Sequence, residues 1–163
     1  AGPVQLTSPK NTLRFDVTSA QEMHDASLKL AQESDVFIAC AAVADYRPEI
    51  NAEQKIKKSG DTLSISMIKN PDIVADVAAL VEKRPFVVGF AAETQDVEQY
   101  ALGKLKNKNL NMICANDVSN PNQGFNSEQN ALKVIWQTGS KDLPLKDKSQ
   151  LAFDLLELIH QHL

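Results

Sequence analysis

The chain has 163 residues, of which 23% are charged, and a formal net charge of −4. That length suits one domain with its own core, and a net negative charge argues against a nucleic-acid-binding protein, whose surface is usually basic. No apolar run approaches the roughly 20 residues of a membrane span, and no hydrophobic N-terminal segment indicates secretion.

Helical and strand patterns alternate from the first third of the chain onwards. Residues 18–34 repeat apolar side chains at helical spacing, and Thr18 with Gln21 predicts a capping box at the start of that helix. Residues 36–44 are continuously apolar, which predicts a strand buried on both faces. The sequence therefore predicts a helix followed by an interior strand.

The middle of the chain is more polar. Residues 47–60 contain Pro48 and predict a loop, and residues 62–67 alternate apolar and polar side chains, which predicts a strand with one wet face. The segment Asn70-Pro71-Asp72 predicts a helix start, with Asn70 as the cap and Pro71 at the first helical position. We expect that helix to run to about Lys83.

The remaining elements complete an α/β pattern. They are a buried strand at 86–92, a helix at 94–108, a buried strand at 110–115, a polar loop at 116–130, a hairpin at 131–137 and 141–145, and a helix at 147–160. Alternating helices and doubly apolar strands predict an α/β, three-layer Rossmann-like sandwich with a mostly parallel sheet.

The cysteines and histidines indicate no metal site. Cys40 and Cys114 lie in apolar runs, which predicts buried thiols in a reducing compartment and hence a cytoplasmic protein. His24, His160 and His162 have no Cys or Asp at ligand spacing.

One acid and one lysine cluster stand out. Asp45 follows the apolar strand, and the end of such a strand is the usual ligand crevice of an open α/β sheet. The nearby segment Lys55-Ile56-Lys57-Lys58 favours an anionic ligand. Each residue also has a plain alternative, Asp45 as a capping acid and Lys55 as a solvated loop lysine.

A second basic group lies on the predicted helix 94–108. Lys104 and Lys108 share one helix face, where like charges repel unless an anion binds between them. Cations also suit the end of a helix for dipole reasons alone, so both interpretations stay open. Lys106 falls on another face and receives no role. Phe90, considered alone, predicts a core residue.

Five segments in order carry a resemblance to a known family. They are Ala41-Ala42-Val43-Ala44-Asp45-Tyr46, Lys55-Ile56-Lys57-Lys58, Lys69-Asn70-Pro71-Asp72-Ile73, Val88-Gly89-Phe90-Ala91-Ala92-Glu93-Thr94 and Ala115-Asn116-Asp117-Val118. Together they resemble phosphopantothenoylcysteine synthetase, also called phosphopantothenate–cysteine ligase. In bacteria this is commonly the C-terminal half of a bifunctional coenzyme A biosynthesis protein. The resemblance covers nearly the whole chain.

The resemblance implies a single synthetase domain over residues 1–163 and a two-step ligation. The carboxylate of 4′-phosphopantothenate attacks the α-phosphate of CTP, which gives an acyl-cytidylate and pyrophosphate. The amine of L-cysteine then displaces CMP. The family's chemistry also implies Mg²⁺ on the triphosphate.

The resemblance also implies a set of site residues. Lys55 is carried over as the catalytic residue that contacts the triphosphate. The positions carried over as nucleotide contacts are Ala39, Cys40, Ala41, Asp45, Lys55, Pro71, Asp72, Ile73, Val74, Phe90, Lys104 and Lys108. No role follows for Asn116, Asp117 or Gly124-Phe125-Asn126, although they follow a predicted strand.

The family further implies a homodimer through an arm, here residues 47–69, and in fused proteins a higher oligomer with a flavin-dependent decarboxylase domain. The family's synthetase begins with a strand, a Gly- and Ser-rich loop, a helix and another strand, which supply an Asn for the acyl-cytidylate. Because this chain resembles the family only from the following segment onwards, we expect an N-terminally incomplete synthetase.

Two alternatives remain open. One is an NAD(P)-dependent Rossmann-type oxidoreductase, although no Gly-x-Gly-x-x-Gly follows a strand here. The other is a non-catalytic fragment that keeps the fold and the dimer surface. Pyrophosphate release from CTP would separate both from an active ligase.

Overall fold

The computed structural model describes residues 1–58, 60–93, 96–117 and 127–163, and for Glu93 and Asp117 the backbone alone. The helices within these residues are α1 (Ala20–Ala31), α2 (Ile73–Ala78), α3 (Val97–Asn107) and α4 (Lys148–His160). The strands are β1 (Val36–Ala39), β2 (Tyr46–Pro48), β3 (Met67–Lys69), β4 (Phe86–Glu93), β5 (Met112–Asp117), β6 (Gln129–Trp136) and β7 (Gly139–Asp147).

The predicted α/β sandwich is confirmed. A five-stranded sheet has the order β1-β4-β5-β6-β7. Strands β1, β4 and β5 are parallel, and the hairpin β6–β7 adds antiparallel strands to β5. The first three strands are therefore joined by crossover helices, and the carboxyl ends of all three point to the same edge of the sheet.

Helices cover both faces of this sheet. On one face, Ala31 of α1, Val77 of α2 and Leu105 of α3 share a buried cluster with strand residues such as Val87 and Ile113. On the other face, α4 packs four buried side chains, Leu151, Leu155, Leu158 and Ile159, against a second cluster. This arrangement makes the three layers of the predicted sandwich.

The strand predicted at residues 36–44 is shorter and less buried than expected. Strand β1 ends at Ala39, lies at the edge of the described sheet, and is half-buried along its length. Cys40 is consequently exposed, so its predicted burial is wrong, whereas Cys114 in β5 is buried. Burial, with a smaller contribution from Cys40, raises the pKa of Cys114 to about 12.

The capping box of α1 is displaced by one residue from its predicted position. Ser19 caps the helix, and Glu22 supplies the reciprocal bond, instead of Thr18 and Gln21. Glu22 takes this role instead of Gln21 because its carboxylate accepts hydrogen bonds from the backbone N–H groups of both Thr18 and Ser19, at 2.7 and 3.1 Å.

The strand predicted at residues 62–67 is wrong. Met67 begins β3, which pairs antiparallel with β2, but the residues before it have no strand structure. Leu63 and Ile65 are 65% and 58% exposed. Alternation alone does not make a strand, because the backbone needs a neighbouring strand to bond to.

The helix predicted from Asn70 also differs. Asp72 is its cap, with its side chain accepting from the Ala75 N–H at 3.2 Å, and the helix ends at Ala78 instead of Lys83. The Arg84 side chain donates to the Ala78 carbonyl at 2.8 Å, and Lys83 has a left-handed φ of 53°. Asn70 is free to bond elsewhere because Asp72 takes the capping position.

The later elements agree with prediction. Strands β4 and β5, helix α3, the β6–β7 hairpin and α4 all occur where expected to within a few residues. The predicted loop at 116–130 is shortened, because β5 extends to Asp117 and β6 begins at Gln129. Its segment 118–126 lies outside the described residues.

Candidate functional site

Strand β1 ends before its neighbour and opens the edge of the sheet. Ala39 pairs with Gly89, whereas β4 continues to Glu93. Phe90 therefore lies just past the end of β1 and is 36% exposed, so the prediction of a core residue is wrong. Cys40 and Ala41, beyond β1, are exposed and have small side chains.

The start of α2 packs closely on β4 at the same level. A Cβ atom on Gly89 would lie 2.7 Å from Leu110 Cδ1 and 4.0 Å from Val74 Cγ2. Glycine at this position makes room for the Leu110 side chain, and Val74 at the start of α2 lies at ordinary contact distance from the strand. Ile73 is buried, and Pro71, Asp72 and Val74 are half-buried. Of the four residues predicted at this turn, Pro71, Asp72 and Val74 are therefore partly accessible, whereas Ile73 belongs to the core.

An ion pair joins this turn to the end of α3. Lys108 Nζ lies 2.8 Å from Asp72 Oδ2, and about a third of each side chain is exposed. Burial tends to raise the pKa of Asp72, but the hydrogen bonds from Lys108 and the Ala75 N–H and the charge of Lys69 outweigh it and hold the pKa below its ordinary value. Two sequence-predicted site residues, 36 positions apart along the chain, are therefore in direct contact.

Lys104 lies one helical turn before Lys108, as predicted, and is exposed. Together with Gln99, Tyr100, Gly103 and Asn107 it lines a shallow hollow of about 340 Å³ along α3. Lys106 is also in the last turn of α3 and is exposed. Lys104 and Lys108 thus lie one turn apart at the end of α3, and Lys108 contacts the α2 start through Asp72.

Asp45 is held beside the same turn through its backbone. The Asn70 N–H donates to the Asp45 carbonyl oxygen at 2.8 Å. The Asp45 side chain is exposed and makes no hydrogen bond or ion pair within the described residues. Its carboxylate is accordingly open to a ligand.

Lys55 lies on a different segment of the chain from these residues. It is exposed and belongs to the arm, residues 47–69. The arm closes where the Glu49 N–H donates to the Ser66 carbonyl at 3.0 Å. Among the residues with described positions, Lys55 makes no hydrogen bond or ion pair with another candidate residue.

Sequence reasoning missed three residues at this site. Arg47 and Asn70 bond to each other at 2.8 Å, and Lys69 contributes to the electrostatic field at Asp72. Lys69 and Asn70 stand in one of the quoted motifs, which was the available signal. Arg47 follows the Asp45 motif directly, but a lone arginine in a polar segment predicts nothing specific.

The histidines lie outside the candidate site and contact other residues. His24 Nε2 lies 2.9 Å from Asp76 Oδ2 and joins α1 to α2. The His162 ring packs against Trp136 with ring centroids 4.5 Å apart and an interplanar angle of 60°. Over the described ranges no group of three or more His, Cys, Asp or Glu side chains is placed to hold a metal ion. Asn116 Oδ1 is buried and has no hydrogen-bond partner among the described residues, and residues 124–126 lie outside the described part.

No helix among the described residues is long and apolar enough to cross a membrane.

Known proteins resemble this chain over its whole length. Residues 1–163 match the family described as the DNA/pantothenate metabolism flavoprotein C-terminal domain. The chain is 61% identical over 165 aligned positions to the coenzyme A biosynthesis bifunctional protein CoaBC of Vibrio cholerae, with 100% of this chain and 41% of that protein covered. It is 60% identical over 163 positions to the CoaBC of Haemophilus influenzae, with 99% and 40% covered. The chain thus spans about 40% of the length of these curated relatives.

Solved structures agree. A crystal structure of the C-terminal domain of CoaBC superposes with a TM-score of 0.80 at 33% identity, covering 99% of this chain and 71% of that one. A DNA/pantothenate metabolism flavoprotein from Streptococcus pneumoniae has a TM-score of 0.77 at 17% identity, covering 98% of this chain and 77% of that one, and shows the shared fold.

Proposed function

Because this chain belongs to the DNA/pantothenate metabolism flavoprotein C-terminal domain family, which includes the matched region of coenzyme A biosynthesis proteins, we propose that it joins 4′-phosphopantothenate to L-cysteine with CTP as the activating nucleotide. The observation that carries the proposal is the juxtaposition of the α2 start, Lys108 and the Asp45 segment beside the open end of β1. Open α/β sheets bind ligands at this edge.

The proposed reaction has two balanced steps. A carboxylate oxygen of 4′-phosphopantothenate forms a bond to the α-phosphorus of CTP, the bond to the bridging oxygen of the β-phosphate breaks, and pyrophosphate leaves. The cysteine amine then forms a C–N bond to the acyl carbon, loses a proton, and displaces CMP. Such chemistry depends on positioning and on cations where charge develops.

The lysines are the groups suited to the phosphates. Lys104 and Lys108 offer two ammonium groups along α3, and a charge-assisted contact of this kind contributes about 1.5–3 kcal/mol. Lys55 would reach the triphosphate from the arm, where it acts on the charge of the reacting phosphates. Its position on a separate segment suits a cation that approaches when the nucleotide is bound.

Asp72 modifies the expected role of the α2 start. Its carboxylate already occupies the capping position and accepts from Ala75, so a phosphate oxygen would meet a negative charge there. Hydroxyl and amino groups of the nucleoside are better partners for Asp72 and Asp45, since a carboxylate accepts hydrogen bonds and does not donate them. We therefore assign the phosphates to the lysines and the nucleoside to this turn and Phe90.

Mg²⁺ fits this site as an ion coordinated mainly by the phosphates of the nucleotide. Within the described ranges the chain offers no cluster of three acidic ligands, and Mg²⁺ is commonly held by substrate phosphates with few protein ligands. When bound, the ion would neutralise phosphate charge. Asp45 is the exposed carboxylate nearest to the β1 end that could contact it directly.

The arm supports the proposal of a homodimer. Ile50, Ile56, Leu63 and Ile65 are each more than half exposed, and Met67 is 48% exposed. Apolar side chains this concentrated on one segment are typical of an interface. A sedimentation experiment that finds monomers alone at micromolar concentration would contradict the dimer.

The experiment that tests the function measures pyrophosphate release from CTP with 4′-phosphopantothenate, first without cysteine and then with it. We expect release in the first stage and CMP with the amide product in the second. CTP binding without release would support the nucleotide site but contradict catalysis by this chain. Fluorescence enhancement of NADH without any CTP-dependent thermal shift would favour the oxidoreductase instead.

A further inference from the structure

Asn70 is a buried polar residue with no assigned role. It is 7% exposed, and no other polar side chain in the described part of the molecule is as deeply buried. Buried amides are kept in folded proteins when their donors and acceptors are satisfied. The partners of Asn70 should therefore reveal why an amide is placed here.

Three hydrogen bonds tie Asn70 to the segment that carries Asp45. Its Nδ2 donates to the Ala44 carbonyl at 2.8 Å, its backbone N–H donates to the Asp45 carbonyl at 2.8 Å, and its Oδ1 accepts from Arg47 Nη1 at 2.8 Å. Arg47 Nη1 also donates to the Lys69 carbonyl at 3.2 Å. These bonds form one unit, which we call the Asn70 clamp.

The clamp joins two parts of the site that no helix or strand pairing connects. On one side are Ala44 and Asp45, which follow the end of β1, and on the other are Pro71 and Asp72 at the start of α2. The β2–β3 ladder ends at the pair Tyr46 and Lys69. The clamp extends this pairing by one further step, to Asp45 and Asn70.

We propose that Asn70 and Arg47 are positioning residues, which hold the Asp45 segment against the α2 start in the arrangement that the nucleotide requires. This inference rests on the proposed function. Neither side chain touches the nucleotide in this proposal, and both act through Asp45 and Asp72. The clamp needs a short side chain whose donor and acceptor are separate atoms, one for the Ala44 carbonyl and one for Arg47. Asparagine has both atoms, whereas ionised aspartate has no donor and serine has a single oxygen.

Two variants test the clamp, with one matched control. Asn70→Asp keeps an acceptor for Arg47 but loses the donor to Ala44, and Arg47→Lys keeps the charge but loses the planar geometry of the guanidinium. Ser66→Ala is the control, because it removes a 2.7 Å hydrogen bond to Glu49 in the same arm without touching the clamp. Arg47→Lys remains informative even if Asn70→Asp does not fold.

The first measurement is the CTP dependence of pyrophosphate release. We expect the KM for CTP to rise about tenfold or more in both variants, the cost of a lost buried hydrogen bond, while the control changes less than about twofold. A merely structural role predicts a lower Tm with an unchanged KM. Variants with the wild-type KM would overturn the inference and leave the proposed function standing.

The second measurement is independent of turnover. Exchange of the Asn70 backbone amide, followed by NMR, should accelerate about tenfold or more in Arg47→Lys, while the Val88 amide in β4 stays protected. Unchanged exchange at Asn70 would overturn the clamp. Wild-type protein that neither binds CTP nor releases pyrophosphate would instead overturn the proposed function and, with it, the role given to the clamp.

Discussion

The sheet and the arm contrast most clearly in this molecule. In β4 and β5, Val87, Val88, Met112 and Cys114 are each 0% exposed. In the arm, Leu63 and Ile65 are more than half exposed, and residues 49–66 have no regular structure where they are described. Apolar side chains are therefore buried in the core in one region and exposed to solvent in the other.

The two regions also hold their candidate lysines differently. Lys108 is held by Asp72 at a fixed place on the sheet-supported helix α3, whereas Lys55 is carried by the arm. A site built from both has one cation held by an ion pair and another on an exposed segment without regular structure.

Truncating a core side chain should destabilise the protein far more than truncating one in the arm. Ile113→Ala, at a residue 1% exposed, should lower the free energy of unfolding by about 2–5 kcal/mol, since it leaves a cavity. At a protein concentration too low for the proposed dimer to form, Leu63→Ala should change the free energy of unfolding by less than about 0.5 kcal/mol. Urea denaturation at one fixed protein concentration measures both. A large loss from Leu63→Ala would indicate that the arm is packed, most simply against a second copy.

Lys55 should matter for turnover more than for stability. Lys55→Met removes a charge-assisted contact to phosphate, and we expect pyrophosphate release to slow about tenfold to hundredfold. Lys58→Met is the matched control in the same motif and should retain most activity. Equal losses in both variants would show that the arm supplies a diffuse positive field instead of one positioned cation.

Lys108 should contribute to CTP affinity from the preformed side. Lys108→Met should weaken CTP binding about tenfold, as measured by calorimetry, because one phosphate contact is lost. Lys106→Met, in the same last turn of α3, should change the CTP affinity less than about twofold. An affinity that survives Lys108→Met would mean that the ion pair with Asp72 is purely structural.

The Asp72 ion pair should give a small pH dependence of stability. Because the pKa of Asp72 is lowered in the folded protein, its ionised form stabilises the fold above its unfolded pKa, and this stability is lost as the pH falls through the folded pKa. Unfolding free energies at pH 5 and pH 2.5 should differ more in the wild type than in Asp72→Asn. The difference should be below about 1 kcal/mol, since the pair is partly exposed. An identical pH dependence in the variant would contradict the shift.

The contrast between the two regions also separates good from poor sequence-based prediction. Strands β4 and β5 and helices α3 and α4 occur where their periodicity predicted, because burial on the sheet agrees with the local pattern. The alternation at residues 62–67 led to a wrong strand, since nothing in a single segment shows whether a partner strand is present. The Asn70 cap was wrong for a related reason, because two acceptable capping residues stand two positions apart and long-range bonds chose between them.

The candidate site divides in the same way. Ordered motifs in the sequence identified the family and named Asp45, Asp72, Lys104 and Lys108, because residue types at fixed spacing are a property of the chain alone. The sequence did not reveal the contact between Asp72 and Lys108, the exposure of Phe90 and Cys40, or the burial of Asn70 against Ala44. Those features depend on where β1 stops beside β4 and on how α2 and α3 pack across the sheet. Distances between segments far apart along the chain are set by that packing, and no local pattern encodes them.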